Sequence, residues 1–494
     1  MSLEFSKAKN NSETCKWKGM FLHSAYNPEQ EAKRFAESIN PDFIPENIIV
    51  IEPALSYCLQ FLKEKFSNAR FFSIRFITDL PTKYQFDHDF YYNPDKPEKL
   101  KTDLFNYLGE SSLLNSFFIT WPPAHNVFQE FDSKCWNIIK DLLKECQSIL
   151  ATRQYFSSRW IKNQINFLLN LKQTCGLKNF NLPVLICASG SSLKDSLPEI
   201  KKMSDHFFII ACSSGIKALL KHGIIPDLCI STDGGFWAKK HLQCLINTTH
   251  DIKLAVSSEA NIPTALYNNE HISIVPLAYC DNFDNTIYEE LKIPYIKANR
   301  NGTISGTAVD LALSLTDSEI YLSGIDMETS KGFVHTQPNE LETENSIKDF
   351  KLKPIDNRVY IQGRDSTQLQ IYRNWFISKS DEIKNRVFRI SNHYPFINSL
   401  GFIKDISFDD ITGKYASVKN IEPLFSPTTK NSDNHSKIIN YFKKLIADER
   451  WIENYFPADC LMIKRNEDSD KILNSKSILN NKLDKISEYI YKRD

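Results

Sequence analysis

From Pro183 onward the chain keeps returning to one pattern: a short apolar run, a small polar loop, then an amphipathic stretch. The runs are Val184 to Ala188, Phe207 to Ala211, Leu228 to Ser231, Lys253 to Val256, Ile272 to Val275 and Ile320 to Leu322. Apolar runs this short fit buried strands, and the stretches between them are long enough for crossover helices. Right-handed βαβ connections follow, giving an α/β fold with a mainly parallel sheet and helices on both faces. Such a sheet also fixes where a ligand would sit, in the crevice outside the carboxyl ends of its strands.

At 494 residues the chain is longer than one hydrophobic core fills, so several domains are expected. Residues 1–130 mix apolar runs such as Asn47 to Ile51 with helical patterns and read as an N-terminal α/β domain. Residues 131–180 carry a long helical pattern, Trp136 to Leu171, and read as a connector; residues 181–405 hold the alternating, Rossmann-like pattern. Residues 406–494 read as a mostly helical C-terminal region, entered through a polar stretch from Ser426 to Lys437 that resembles a linker.

Sixty basic and sixty acidic residues cancel, so no nucleic-acid partner held by bulk charge is implied. No apolar run approaches the roughly 18 residues of a membrane span, and the N-terminus lacks the order of a signal peptide, so a cytoplasmic location is expected. Eleven cysteines, scattered from Cys15 to Cys460 without a CxxC pair, read as reduced core residues.

The loops after the strands share a chemistry. Ser189, Gly190, Ser191 and Ser192 follow the first run, and Ser213, Ser214 and Gly215 the second. Glycine with small hydroxyl residues before a helix lets backbone N–H groups and the positive helix end approach phosphate. Asp233, Gly234 and Gly235 follow the third run; Asn301, Gly302, Thr303, Ile304, Ser305 and Gly306 open a helix expected near Thr307. Asp233 and Asn301 are candidates to bond a ribose or a base edge. The last run ends in Ser323-Gly324-Ile325-Asp326, with His335 in the polar loop beyond. For any one loop an ordinary turn and helix cap is the simpler explanation. Repetition at successive strand ends favours a nucleotide pocket.

No GxxxxGK[ST] is present and no strict GxGxxG with a following acidic strand end, which disfavours a P-loop NTPase and a dinucleotide oxidoreductase. DxD-like triplets stand only outside the core, at Asp87-His88-Asp89 and Asp468-Ser469-Asp470, and read as solvated loops. Asp87 to Tyr92 also fits an aromatic acceptor surface or an edge of the N-terminal core. Arg358, Arg364 and Arg373 are candidates for pairing with a carboxylate, although most arginines on a surface have no such role.

In order and spacing, VLICASGSSL (184–193), GIIPDLCISTD ending at Asp233, NGTISGTAVDLAL and IYLSGIDM followed by His335 resemble the motility-associated factor (Maf) family. That family's central domain is distantly similar to bacterial sialyltransferases. LHSAYNPEQEAKRF (Leu22 to Phe35) resembles the opening of Maf proteins, and ATRQYFSSRWIKNQINFLLNL their connector, so the likeness runs from about residue 20 to about residue 405. One departure is clear: the family's glycine-proline-serine-leucine loop stands here as Gly190-Ser191-Ser192-Leu193.

The resemblance implies transfer of a nonulosonic, sialic-acid-like sugar from a CMP-activated donor to Ser or Thr of flagellin, without a resident cofactor and without a metal. His335 or Asp326 would be the base. The nucleotide-sugar would lie against Ser189, Gly190, Ser191, Ser192, Ser213, Ser214, Asp233, Asn301, Gly302, Thr303, Ser305 and Gly306. Two rivals stand beside this: a pterin pyrophosphokinase-like enzyme using ATP and metal, and a non-catalytic flagellin-binding or chaperone-like protein that kept the fold.

Overall fold

A computed structural model describes residues 3–493 apart from 79, 328–332, 353, 355–364, 392–398, 416–417, 431–433 and 467. It divides into two compact units, Met1–Ser157 with Ala447–Lys485 and Ser158–Ile446 with Ile486–Asp494. The C-terminal stretch read as one helical region is thus shared between the units. The helix read as a connector also passes from one unit to the other.

The first unit opens with an antiparallel meander of β1 (Leu3–Lys7), β2 (Glu13–Trp17) and β3 (Met20–Phe21), followed by α1 (Pro28–Ser38). Its main sheet is parallel, in the order β6 (His88–Tyr91), β5 (Arg70–Arg75), β4 (Asn47–Ile51), β7 (Ser116–Thr120). Helices α2 (Cys58–Lys65), α3 (Pro97–Leu114), α4 (Pro122–Val127) and α5 (Gln129–Asn170) complete it. Successive strand side chains point to opposite faces. In β4, Ile48 and Val50 enter one core with Leu59, Leu62 and Trp121, while Ile49 and Ile51 enter another with Leu100, Leu104 and Ile139. A central strand buried on both faces therefore requires helices on both sides, and it has them.

The second unit holds an eleven-stranded sheet. Its strands, in chain order, are β8 (Gln173–Thr174), β9 (Val184–Cys187), β10 (Phe208–Cys212), β11 (Leu228–Ser231), β12 (Ile252–Ser257), β13 (Ile272–Tyr279), β14 (Ile296–Ala298), β15 (Ile320–Ser323), β16 (Val387–Ile390), β17 (Lys404–Ile406) and β18 (Thr429–Lys430). In space they run β17, β16, β15, β9, β10, β11, β12, β13, β8, β18, with β14 also on β13; every pairing is parallel except β18 with β8. Helices α6 (Leu193–Met203), α7 (Ile216–Lys221), α8 (Phe236–His241), α9 (Asp284–Glu290), α10 (Ile304–Leu315) and α11 (Glu340–Ile347) connect or follow these strands. Helix α10 is apolar nearly all round and buried, packing with β9, β10 and β11 in the main core.

Several sequence readings change. The helix expected near Thr307 starts at Ile304, because the Thr303 side chain accepts the Gly306 N–H at 2.9 Å and caps it there. Within the Ser426–Lys437 linker, Thr429 and Lys430 pair with β8, and helix His435–Leu445 begins before the stretch ends. Asp87-His88-Asp89 is not a solvated loop: His88 and Asp89 lie in β6, Asp87 accepts the Phe71 N–H, and Asp89 accepts from Ser73 and Arg75. Phe90 and Tyr92 are buried, so this segment is an edge of the first core. Asp468 caps the helix Ser469–Tyr491 through the N–H groups of Asp470 and Lys471. All eleven cysteines are free and eight are buried. Among the described residues no helix is long and apolar enough to cross a membrane.

Candidate functional site

In the second sheet, β10 to β13 lie on one side of β9 and β15 to β17 on the other, so the strand order reverses between β9 and β15. At such a switch point the connections leave in opposite directions and open a crevice at the strand ends. Here the two loops meet backbone to backbone. The Gly190 N–H donates to the Gly324 carbonyl at 2.8 Å. A Cβ on Gly190 would lie 2.5 Å from that oxygen and 2.7 Å from Asp326 Oδ2; one on Gly324, whose φ is +71°, would lie 2.5 Å from the Ala188 carbonyl. Both positions exclude side chains.

Asp326 anchors the loop. It is 3% exposed and accepts the Ser192 N–H at 2.8 Å and the Ser192 hydroxyl. Burial pushes its carboxyl up, and the two Ser192 hydrogen bonds oppose the shift. With both oxygens engaged, Asp326 shapes the glycine loop and is poorly placed to take a proton from an acceptor.

The segment from Phe333 to Glu342 lies across this loop. The Thr336 N–H donates to the Ser189 carbonyl at 2.7 Å and its hydroxyl to the Gly190 carbonyl. Ser191 Oγ donates to the Phe333 carbonyl at 3.4 Å, Asn339 Nδ2 to the Ser214 carbonyl at 2.9 Å, and the Ser189 and Ser214 hydroxyls are 2.8 Å apart. His335 is thereby carried to the loop. Glu342, 1% exposed, accepts the Val334 and His335 N–H groups at 2.9 and 3.1 Å, and the same oxygen lies 3.5 Å from His335 Nδ1. Burial alone would raise Glu342; the His335 ring and the two N–H groups outweigh it and hold the carboxyl below its usual range. Glu342 therefore acts on the ring by charge, since Nδ1 makes no hydrogen bond among the described residues.

A second histidine repeats the device. His241, at the end of α8, has Nδ1 3.2 Å from Glu340 Oε2, while Lys217 Nζ is 2.8 Å from Oε1. Its ring centroid is 6.2 Å from that of His335. Helix α11 thus supplies both carboxylates, and Asn339 caps it by accepting the Leu341 and Glu342 N–H groups. Nothing in the alternating strand pattern marked His241, Thr336, Asn339, Glu340 or Glu342. The available signal was the Asn-Glu-Leu-Glu start of a helix just after His335.

The remaining expected residues follow β10, β11 and β14. Asp233 is exposed, accepts the Gly235 N–H at 2.9 Å, and gives its carbonyl to the Asn261 N–H at 3.0 Å. Gly234 packs where a Cβ would strike Trp160 at 2.7 Å. Arg300 donates to both oxygens of Glu259 at 2.7 and 3.1 Å and to Asp281 at 3.0 Å, and is flanked by the rings of Trp160 and Tyr279. Asn301 follows directly and donates to the Asn299 carbonyl at 3.3 Å. Gly302, with φ +70°, faces open space, but Ser305 and Gly306 lie in the first turn of α10, Gly306 against Trp375. Ser213 is fully buried and Ser214 is not, so Ser214 presents the hydroxyl of that loop. Arg373 lies on the helix Asp365–Ile383, whereas Arg358 and Arg364 fall outside the described residues.

Residues 158–332 match the model of the family described as "6-hydroxymethylpterin diphosphokinase MptE-like". An uncharacterised protein of Treponema pallidum (strain Nichols) is 29% identical over 351 residues, which are 70% of this chain and 76% of that one. The structure of a Maf glycosyltransferase from Magnetospirillum magneticum AMB-1 superposes with a TM-score of 0.60 over 99% of this chain and 91% of that one, at 12% identity. This chain has the Maf glycosyltransferase fold. The motif order read from the sequence and the fold of nearly the whole chain therefore agree, and the MptE-like match falls on the part of the second unit that contains β9 and β15.

Proposed function

We propose that the chain is a glycosyltransferase that moves a CMP-activated nonulosonic sugar to Ser or Thr hydroxyls of flagellin. The observation that carries this reading is the glycine loop pair at the switch point, with a carboxylate-backed histidine laid against it. The Gly190 and Ser192 N–H groups are engaged within the loop pair, so the donors that suit the phosphate are the paired Ser189 and Ser214 hydroxyls, which between them keep one O–H to give, and only one phosphate has to be neutralised. In the transfer, His335 takes the acceptor hydroxyl proton at Nε2 as the new glycosidic bond forms; the bond from the sugar to the phosphate oxygen breaks and CMP leaves as an anion. His241, backed by Glu340, faces the same side and suits the departing phosphate. The Maf-like fold supports glycosyl transfer in general, and the donor class and the acceptor rest on the resemblance of the sequence motifs to the Maf family.

The test is incubation of the purified chain with flagellin and a CMP-activated nonulosonic acid, read by intact mass with and without chelator. A mass increase that survives chelator and is lost in His335→Ala is the expected result; no increase overturns the proposal. The MptE-like match favours one other reading, diphosphate transfer from ATP to a hydroxymethylpterin. Turnover of ATP with that pterin, and none with the CMP-sugar, would establish it instead.

A further inference from the structure

The first unit has a strand-end groove of its own. In its parallel sheet β7 is the edge strand beside β4, and its carboxyl end runs into α4 and the start of α5. There an open groove of about 740 Å³ is lined by the end of β7, by α4 and by the first turns of α5.

Its floor is a chain of hydrogen bonds ending in the groove. The Trp136 indole N–H donates to the Thr120 hydroxyl at 2.9 Å, that hydroxyl donates to Asp132 Oδ1 at 2.8 Å, and Asp132 Oδ2 lies 2.6 Å from His125 Nδ1. The Asp132 side chain is 4% exposed, whereas that of His125 is 54% exposed. A buried carboxylate with its other oxygen already occupied fixes the imidazole with Nδ1 inward, so Nε2 faces the groove. Trp136, Asn137 and Lys140 follow at helical spacing along α5, and Asn126 stands beside His125 on α4.

We propose that this groove is a second ligand site, for a sugar bearing a carboxylate. Sugar hydroxyls both donate and accept, and the amides of Asn126 and Asn137 with the His125 imidazole offer both functions. Trp136 supplies an aromatic flank for the C–H face of a ring, and Lys140 a cation for the acid group. The inference stands apart from the transfer chemistry of the second unit.

Binding of N-acetylneuraminic acid, mannose and inorganic phosphate to the full-length protein, by saturation-transfer NMR and calorimetry, tests it. Saturable binding of N-acetylneuraminic acid is expected, weakened about tenfold in His125→Gln and in Lys140→Ala and retained in His335→Ala. Both rim side chains are exposed, so thermal unfolding of these variants should match the parent and separate lost binding from lost folding. No binding, or binding untouched by both rim variants, overturns the proposal. So does binding lost in His335→Ala alone, which would place the sugar in the second unit. Displacement by equimolar phosphate, or equal affinity for mannose, overturns the assignment to an acidic sugar.

Discussion

The two parallel sheets of this protein treat the same position in opposite ways. At the end of β9 the second sheet places glycine and serine, so backbone meets backbone at the switch point and neither Gly190 nor Gly324 has room for a side chain. At the end of β4 the first sheet places Glu52, Ala54 and Ser56, all at positive φ (44°, 48° and 68°), in backbone that ordinarily favours glycine. The space there is filled from within: Glu52 is fully buried and accepts the N–H groups of Ala54, Phe76 and Ile77, while Arg75 donates to the Ala54 carbonyl and the Ser56 hydroxyl. Burial raises the Glu52 carboxyl, and Arg75 with the three N–H groups opposes it. The candidate crevice of the second sheet is bounded by glycine backbone, whereas the corresponding end of β4 is filled as core. The proposed sugar groove of the first unit accordingly lies beside β7, away from the filled end of β4.

This contrast can be broken at several points. The largest effect is expected from His335→Ala, which should lower transfer by about 10²- to 10⁴-fold with folding intact, measured as initial rates with circular dichroism alongside. An unchanged rate would remove the catalytic half of the comparison. In the filled sheet, Arg75→Met removes the donors to the Ala54 carbonyl, the Ser56 hydroxyl and Asp89 and should cost about 1–3 kcal/mol in denaturant unfolding; an unchanged stability would show that Glu52 and its N–H donors alone hold this end of β4. In the open sheet, Gly190→Ala forces a methyl against the Gly324 carbonyl and Asp326 and should cost about 1–3 kcal/mol, together with a larger proportional loss of donor binding.

The smallest test uses pH. Asp284, fully buried among Ser258, Asn282 and Gln164, is pushed up to about 7, chiefly by burial. Between the ordinary carboxyl range near 4 and about 7 the folded chain keeps a proton that the unfolded chain has released. Stability of the second unit should therefore fall as pH rises through that window, and Asp284→Asn should flatten the slope in urea titrations at successive pH values. A parallel slope in the variant would assign the pH dependence elsewhere.

The motifs that carried the family resemblance divide by role once their contacts are known. His23, in the LHSAYNPEQEAKRF segment, is buried and accepts the Leu55 N–H at 2.9 Å; Asn27 caps α1, and Glu31 accepts the Ser24 N–H at 2.8 Å. That opening motif builds the first unit. In NGTISGTAVDLAL, Thr303 is a helix cap and Gly306 a packing position. In VLICASGSSL and IYLSGIDM, the two glycines and Asp326 form the loop pair of the candidate site. Spacing could not separate these cases, because a glycine that admits a tryptophan and one that admits a carbonyl read alike in one dimension.

By itself the sequence determined the class of fold and the axis of the site. Apolar runs buried on both faces admit few arrangements other than a parallel sheet with two helical layers, and the loops after those runs must share one edge. What only the tertiary structure decided was which loops meet. Strand order put β15 beside β9, bringing Asp326 and the His335 segment to Gly190, while Asp233 closed its own turn after β11 and Asn301 bonded within the loop after β14. The carboxylates behind both histidines, the strained end of β4 and the His125 groove also come from long-range packing, which a local pattern does not encode.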